Sequence, residues 1–331
     1  MQPRAAILGI AGTTLSAEEV AVFRATPPLG IILFARNIAD PAQLVALNAS
    51  IRDLLGEATP ILVDQEGGRV ARLRAPHWPD CPPAARFEDL PEAAARANAA
   101  LHGLMCREAG FDVVCAPVLD LRLPGAHAVI GDRAFSDRPE EAARLGLAWA
   151  EGLQQAGCIP VIKHVPGHGR ALVDSHLDLP RVLASSEELA LDCTPFAALA
   201  GIAAWAMTAH IVYEAWDPVL PATLSPRVIE EVIRGAIGFD GILVSDDLCM
   251  QALRGEAGAL ARQSLAAGCD LVLHCNGDLA AGTALLRDCP PLTEAAAERL
   301  AETRDRVRDA RQGLDPQALI AARDAQLTAA A

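Results

Sequence analysis

The segment Lys163-His164-Val165-Pro166-Gly167-His168-Gly169-Arg170, followed by Asp174-Ser175-His176, gathers three imidazoles, an amine and a carboxylate in one short stretch. It comes directly after the apolar run Ile159–Ile162. A helix could not carry it, because Pro166 lacks a backbone donor and Gly167 and Gly169 have poor helix propensity. A strand that opens into a glycine-rich loop can, and such loops are where rigid scaffolds present reactive groups. Asp174 and His176 stand two apart, a spacing that separates side chains on a helix but lets them meet in a loop. A carboxylate against an imidazole sets its tautomer and favours its protonated form, as a general acid/base near neutral pH requires. From spacing alone, a solvated surface loop is the competing reading.

Other candidates sit after other apolar runs. Gly241-Ile-Leu-Val-Ser-Asp-Asp ends in two acids. Asp247 is expected to cap the next helix, and Asp246, at the last inward position of a strand, is expected to be a catalytic carboxylate. Asp64 has the same placement beside Gly67-Gly68, a tight loop where a carboxylate could accept bonds from substrate hydroxyls. Lys163 suits either a Schiff-base nucleophile or a donor to an oxygen-rich substrate. His164, His168 and His176 could together hold zinc, but no Glu or Cys partner keeps a regular spacing, so no metal and no cofactor is expected. Arg69, Arg72 and Arg133 lie in long loops, and the last two gain interest because those loops border one barrel mouth. Trp78 and Trp216 would either stack on a sugar or, more simply, pack.

The elements that must position these groups are short apolar runs separated by helical patterns. Strands are expected near Ala5–Gly9, Gly30–Phe34, Ile61–Asp64, Val113–Ala116, Ile159–Lys163, Trp205–Ala209, Gly241–Ser245 and Asp270–His274. Their continuous rather than alternating hydrophobicity indicates a parallel sheet buried on both faces. Ser16-Ala-Glu-Glu19 and Ser185-Ser-Glu-Glu188 read as capping boxes, and Asp40-Pro41 and Ser225-Pro226 as helix starts. Further helices are expected near 92–109, 138–156, 255–267, 278–288 and 293–312. Eight such units predict an α/β fold, a single (β/α)8 TIM-type barrel with long loops after the strands and an additional C-terminal helix. A doubly wound open sheet is the competitor. The barrel requires reactive residues just after strands, and His210, Asp120, His274 and Asn276 join those above in that position. One domain over 1–331 is expected, with about 313–331 a helical or disordered tail.

Composition narrows the function classes. A chain of 331 residues, 52% hydrophobic but only 4% aromatic, builds a core on small alanine-rich helix faces. Net charge −14 argues against a nucleic-acid binder or a polybasic membrane anchor. Nine cysteines, without a Cys-x-x-Cys pair, fit reduced thiols in a cytoplasmic protein better than a disulfide scaffold. The N-terminal run is too short for a signal peptide and reads as a first buried strand. No apolar run approaches the length of a membrane span.

Taken together, Asp64-Gln-Glu-Gly-Gly-Arg-Val-Ala-Arg72, Gly131-Asp-Arg133, Lys163-His-Val-Pro-Gly-His-Gly169, Asp174-Ser-His176, Ala209-His210 and Ser245-Asp-Asp-Leu248 resemble the family 3 glycoside hydrolases. The likeness is greatest to the single-domain bacterial β-N-acetylhexosaminidases of cell-wall recycling, and it runs from about Gly30 to Asn276. The resemblance implies Asp246 as nucleophile and His176 with Asp174 as acid/base dyad. It further implies that Asp64, Arg72, Arg133, Lys163, His164 and His210 bind the terminal N-acetylglucosamine of a muropeptide. Larger relatives draw an acid/base residue from a second domain; here the barrel's own 174–176 loop is expected to supply it. Val165, Leu177 and Cys249 depart from the usual pattern without touching a chemical role. A β-glucosidase, a chitooligosaccharide hexosaminidase, a Lys163 lyase and a non-catalytic sugar-binding barrel remain as alternatives, and oligomeric state is not legible.

Overall fold

The computed structural model describes residues 2–175, 177–202 and 205–329. Eight parallel strands close on themselves: β1 (Arg4–Gly9), β2 (Pro28–Leu33), β3 (Ile61–Val63), β4 (Val113–Val114), β5 (Ile159–Val165), β6 (Trp205–Thr208), β7 (Ile242–Asp247) and β8 (Leu271–His274). Ala6, Ile7 and Leu8 of β1 pair with Val272, Leu273 and His274 of β8 and complete the barrel. Both strand faces are apolar because both are buried. Ile7, Trp205, Met207, Ile242, Val244, Leu271 and Leu273 fall in one cluster, while their neighbours Leu8, Ala206, Leu243 and Val272 join the packing under the helices.

The helices are α1 (Ala17–Ala25), α2 (Pro41–Leu55), α3 (Glu92–Glu108), α4 (Pro139–Gln155), α5 (Ser186–Asp192), α6 (Thr194–Leu199), α7 (Ala257–Ala267), α8 (Leu279–Asp288), α9 (Glu294–Ala310) and α10 (Pro316–Ala329). Ser16 with Glu19 and Ser185 with Glu188 form reciprocal capping boxes, and Asp40 caps α2 through the Gln43 amide. Small faces let α3 and α4 approach closely: a Cβ on Gly152 would lie 2.4 Å from the Arg96 carbonyl oxygen, and one on Gly103 2.5 Å from the Ala156 Cβ. Helix α10, in the segment expected as a helical or disordered tail, lays Ile320 and Leu327 against the core, and Arg323 Nη1 reaches Asn98 Oδ1 at 3.4 Å.

Two features lie outside the sequence expectation. Arg181–Val182 and Val212–Tyr213 form a small parallel ribbon beside the barrel mouth. The helix that Ser225 opens, by accepting from the Val228 amide, is a π-helix over Val228–Ala236. No helix among the described residues is long and apolar enough to cross a membrane.

Two strand irregularities matter for the site. On β5, Lys163 pairs with Met207 but Val165 with Thr208, so His164 is an extra residue against β6. On β7 and β8, Leu271 pairs with Val244 but Leu273 with Asp247, again one residue too many on β7. Consecutive side chains on a regular strand point to opposite faces, and a bulge breaks that rule. Lys163 and His164, and likewise Asp246 and Asp247, therefore all reach the same cavity.

Candidate active site

At the C-terminal ends of the strands lies a cavity of about 190 Å³. Asp64, Arg72, Arg133, Lys163, His164 and Asp246 line it, as sequence placement anticipates, and so do Phe34, Glu66, His168 and Ser175, which that placement does not single out as substrate-binding.

One wall is an ion-pair network. Lys163 Nζ lies 2.9 Å from Asp64 Oδ1 and 2.6 Å from Glu66 Oε1. Arg72 Nη2 reaches Asp64 Oδ2 at 3.1 Å. Arg133 grips Glu66 with both prongs, Nε to Oε2 at 2.8 Å and Nη2 to Oε1 at 2.9 Å. Three cations thus share two carboxylates, and a positive excess faces the cavity. Burial would raise the Asp64 and Glu66 carboxyls, but Lys163 and Arg72 on the first, and Arg133 and Lys163 on the second, outweigh it and hold both below the usual carboxylate range. Burial would likewise lower Lys163, yet Asp64 and Glu66 carry it above its ordinary value. A permanently charged ammonium is a poor nucleophile, and this argues against Schiff-base chemistry at Lys163.

Loops fix these arginines. Arg69 does not line the cavity; it pairs with Asp132 at 3.0 Å and donates to the carbonyls of Ala128, Val129 and Ile130, tying down the segment that leads to Arg133. Gly67, with φ +100°, lets the loop after β3 turn back so tightly that a Cβ there would meet the Pro82 carbonyl oxygen at 2.3 Å. Phe34 presents its ring to the Arg36 and Arg72 guanidiniums at 4.8 and 5.5 Å, so Arg72 is held from two sides.

The second wall centres on Asp120, buried behind β5. Its Oδ2 lies 2.7 Å from His164 Nδ1, and its Oδ1 accepts from the amides of His164 at 3.1 Å and His168 at 2.6 Å. With Nδ1 committed to Asp120, His164 has Nε2 for the cavity. Burial lowers His168 to about 4 against the pull of Asp120, so its ring is neutral. His168 Nε2 lies 3.1 Å from Ser175 Oγ, and the Ser175 carbonyl accepts from the Ala252 amide at 3.2 Å. Ser175 therefore ties its own segment both to the segment leaving β5 and to the loop after Asp246.

The remaining candidates divide between the cavity and its surroundings. Asp246 lines the cavity at the bulged end of β7 and accepts from the Asp247 amide at 2.8 Å. Asp247 does not cap the next helix as expected, because α7 starts only at Ala257 behind Glu256; its Oδ1 accepts from the amides of Cys249 and Cys275, both at 3.0 Å, and so ties the turn after β7 to the end of β8. Asp174 is half-buried beside Ser175, and its carbonyl accepts from Leu177 and Asp178. His176 lies outside the described residues. His210 does not line the cavity: its Nδ1 is 2.7 Å from Thr223 Oγ1 and its Nε2 3.1 Å from the Asp247 carbonyl. It buttresses the end of β7 from behind. Neither tryptophan reaches the cavity; Trp78 and Trp216 pack against core clusters.

A (β/α)8 barrel with a carboxylate at the end of β7, sharing a small cavity with a cluster of cations and imidazoles, is a layout that suits a carbohydrate-cleaving enzyme. The chain belongs to glycosyl hydrolase family 3: the model of that family's N-terminal domain matches residues 8–310. It is 44% identical over 307 residues to the β-hexosaminidase of Alkalilimnicola ehrlichii, covering 89% of this chain and 87% of that protein. Among solved structures, it resembles NagZ of Neisseria gonorrhoeae with 33% identity and a TM-score of 0.86 over 100% of this chain and 99% of that one. That protein has also been crystallised with N-trifluoroacetyl-D-glucosamine. A family 3 β-N-acetylglucosaminidase from Paenibacillus is 34% identical with a TM-score of 0.82; the match covers 94% of this chain but 63% of that longer one. The protein is a glycoside hydrolase.

Proposed function

We propose that this hydrolase is a retaining exo-β-N-acetylglucosaminidase that releases terminal N-acetylglucosamine from peptidoglycan fragments, the anhydro-muropeptides of cytoplasmic cell-wall recycling. The observation that carries the reading is Asp246 in a small cavity that is also lined by the Lys163–Asp64–Arg72 and Glu66–Arg133 network. Such a network offers donors and acceptors to the hydroxyls of one terminal sugar, and a cavity of about 190 Å³ has room for little more.

In the reaction, the Asp246 carboxylate attacks the anomeric carbon while protonated His176 gives its proton to the leaving oxygen, and a glycosyl–aspartate ester forms. Neutral His176 then takes a proton from water, which opens the ester with net retention. The usual glycosidase pair is two carboxylates roughly 5–5.5 Å apart in retaining enzymes. Here an imidazole replaces one of them, and Asp174 stabilises its charged form. Asp64, Arg72, Arg133, Lys163 and His164 hold the sugar, and His210 acts through the end of β7.

The test compares 4-nitrophenyl N-acetyl-β-glucosaminide with 4-nitrophenyl β-glucoside, then an anhydro-muropeptide with chitooligosaccharides. Preference for the acetamido substrate and for the muropeptide is expected. Preference for the plain glucoside would overturn the sugar assignment, and preference for chitooligosaccharides the recycling role.

A further inference from the structure

At the opposite end of the barrel, a cavity of about 320 Å³ opens between the starts of β3, β4 and β5 and helix α9. Arg304, Arg308 and Arg311 line it, and Ile159 and Val307 give it apolar surface. Two acids share the lining, Glu57 and Asp112. Asp112 is already committed, 2.7 Å from Arg52 Nη2 and accepting from the Ile61 amide at 3.0 Å. Arg308 is paired with Asp305 at 2.7 Å. Arg304 donates to the Ala58 carbonyl, and among the described residues neither Arg304 nor Arg311 makes an ion pair. Burial of the Arg304 side chain makes its charge costly, with only Asp112 acting against that cost.

A further guanidinium backs the same wall. A Cβ on Gly157 would lie 3.2 Å from Arg311 Cδ and 3.4 Å from Arg107 Cδ, so both stems converge over this glycine. Arg107 Nη1 is buried with no hydrogen-bond partner. Arg107 stands in the last turn of α3, where the helix dipole welcomes a cation. The dipole does not supply an acceptor to Nη1, and it does not explain Arg304, which lies within α9. A chain of net charge −14 has acids to spare, yet among the described residues Arg304 and Arg311 at this cavity and Arg107 behind it make no ion pair. Guanidiniums in that state match the oxygens of a phosphate group.

We propose that this cavity is a binding site for a small phosphate monoester, with its phosphate on Arg304 and Arg311, Arg107 adding positive potential from behind, and its organic body on Ile159 and Val307. Occupancy would clamp α9 to the starts of three barrel strands, far from the sugar cavity.

The test uses the full chain with inorganic phosphate and with glucose 6-phosphate, followed by calorimetric titration and thermal unfolding. Binding at about 30 times Kd should raise Tm by roughly 3 °C. Sodium chloride at matched ionic strength should give no such rise. Arg311→Ala, which removes an exposed side chain, and Arg304→Gln should each weaken binding at least about tenfold, with hydrolysis of the nitrophenyl substrate unchanged. If Arg304→Gln does not fold, Arg311→Ala with Arg107→Met decides. An equal rise with chloride, unchanged affinity in Arg311→Ala, or no heat of binding at 10 mM glucose 6-phosphate would each overturn the proposal.

Discussion

Glu66 holds Arg133 by two parallel contacts, 2.8 and 2.9 Å, and with the same carboxylate touches Lys163 at 2.6 Å. The loop after β3 thereby sets the position of a cation from the loop after β4 and another from β5 itself. Glu66→Gln keeps the shape but gives up the charge and half of the bidentate grip. Because a misplacement of about 1 Å can cost 10²-fold, kcat/KM on 4-nitrophenyl N-acetyl-β-glucosaminide should fall by roughly 10²-fold, more through KM than kcat. A loss under about threefold would show that Arg133 and Lys163 need no such tether.

Asp246 lines the cavity without being enclosed by the core. Asp246→Ala should therefore lower kcat by roughly 10⁴-fold or more while Tm stays within about 3 °C. An active, folded variant would refute the nucleophile assignment.

His176→Ala separates acid catalysis from binding. A good nitrophenolate leaving group needs little protonation, whereas a sugar leaving group needs a full proton. General acid catalysis is worth about 10²–10⁴-fold, so the variant should lose that factor on a disaccharide and far less on the nitrophenyl glycoside. Equal losses on the two substrates would argue for a merely structural role.

Two buried histidines make stability depend on pH. Burial lowers His102 and His168 from 6.5 to about 4, so both are neutral in the native state. Between those values the unfolded chain binds protons that the native chain does not, and unfolding free energy must rise with pH and fall on acidification. Each histidine contributes a loss of up to about 3 kcal/mol on passing from pH 6.5 to pH 4. His102, which bonds the Gln65 carbonyl and Asn98 away from the cavity, is the cleaner probe. Urea unfolding of His102→Gln should show a visibly shallower decline across this window; an unaltered slope would mean the histidine is not the titrating group.

Gly152 tests the close approach of α3 and α4. Alanine gains about 1 kcal/mol in helix propensity, but its Cβ would stand 2.4 Å from the Arg96 carbonyl oxygen, a backbone atom that cannot swing aside. Overpacking of this kind costs about 1–3 kcal/mol, so the clash should win by up to about 2 kcal/mol and Tm should drop by up to about 3 °C. A stabilised Gly152→Ala would show that the two helices can separate freely.

Local pattern in the chain was enough for the strands, the helix starts and half of the cavity. Continuous apolar runs placed each of the eight strands to within two residues at its start, because a strand buried on both faces tolerates little else. Capping residues located the starts of α1, α2 and α5, and strand-end position picked out Asp64, Lys163, His164 and Asp246 as cavity residues. Partners distant in sequence settled the rest. The bulges that turn neighbouring side chains into one cavity arise from register against another strand, and neither β5 nor β7 carries them in its own pattern. Gln65 turns to the Arg72 and Leu73 backbone of its own loop, whereas its neighbour Glu66 meets Arg133 and Lys163 from other loops and strands. His210 stands at a strand end like the others, yet Thr223 and the Asp247 carbonyl claim both its nitrogens. Strand-end position is a local property; which neighbour satisfies a buried polar atom is settled only when the chain closes on itself.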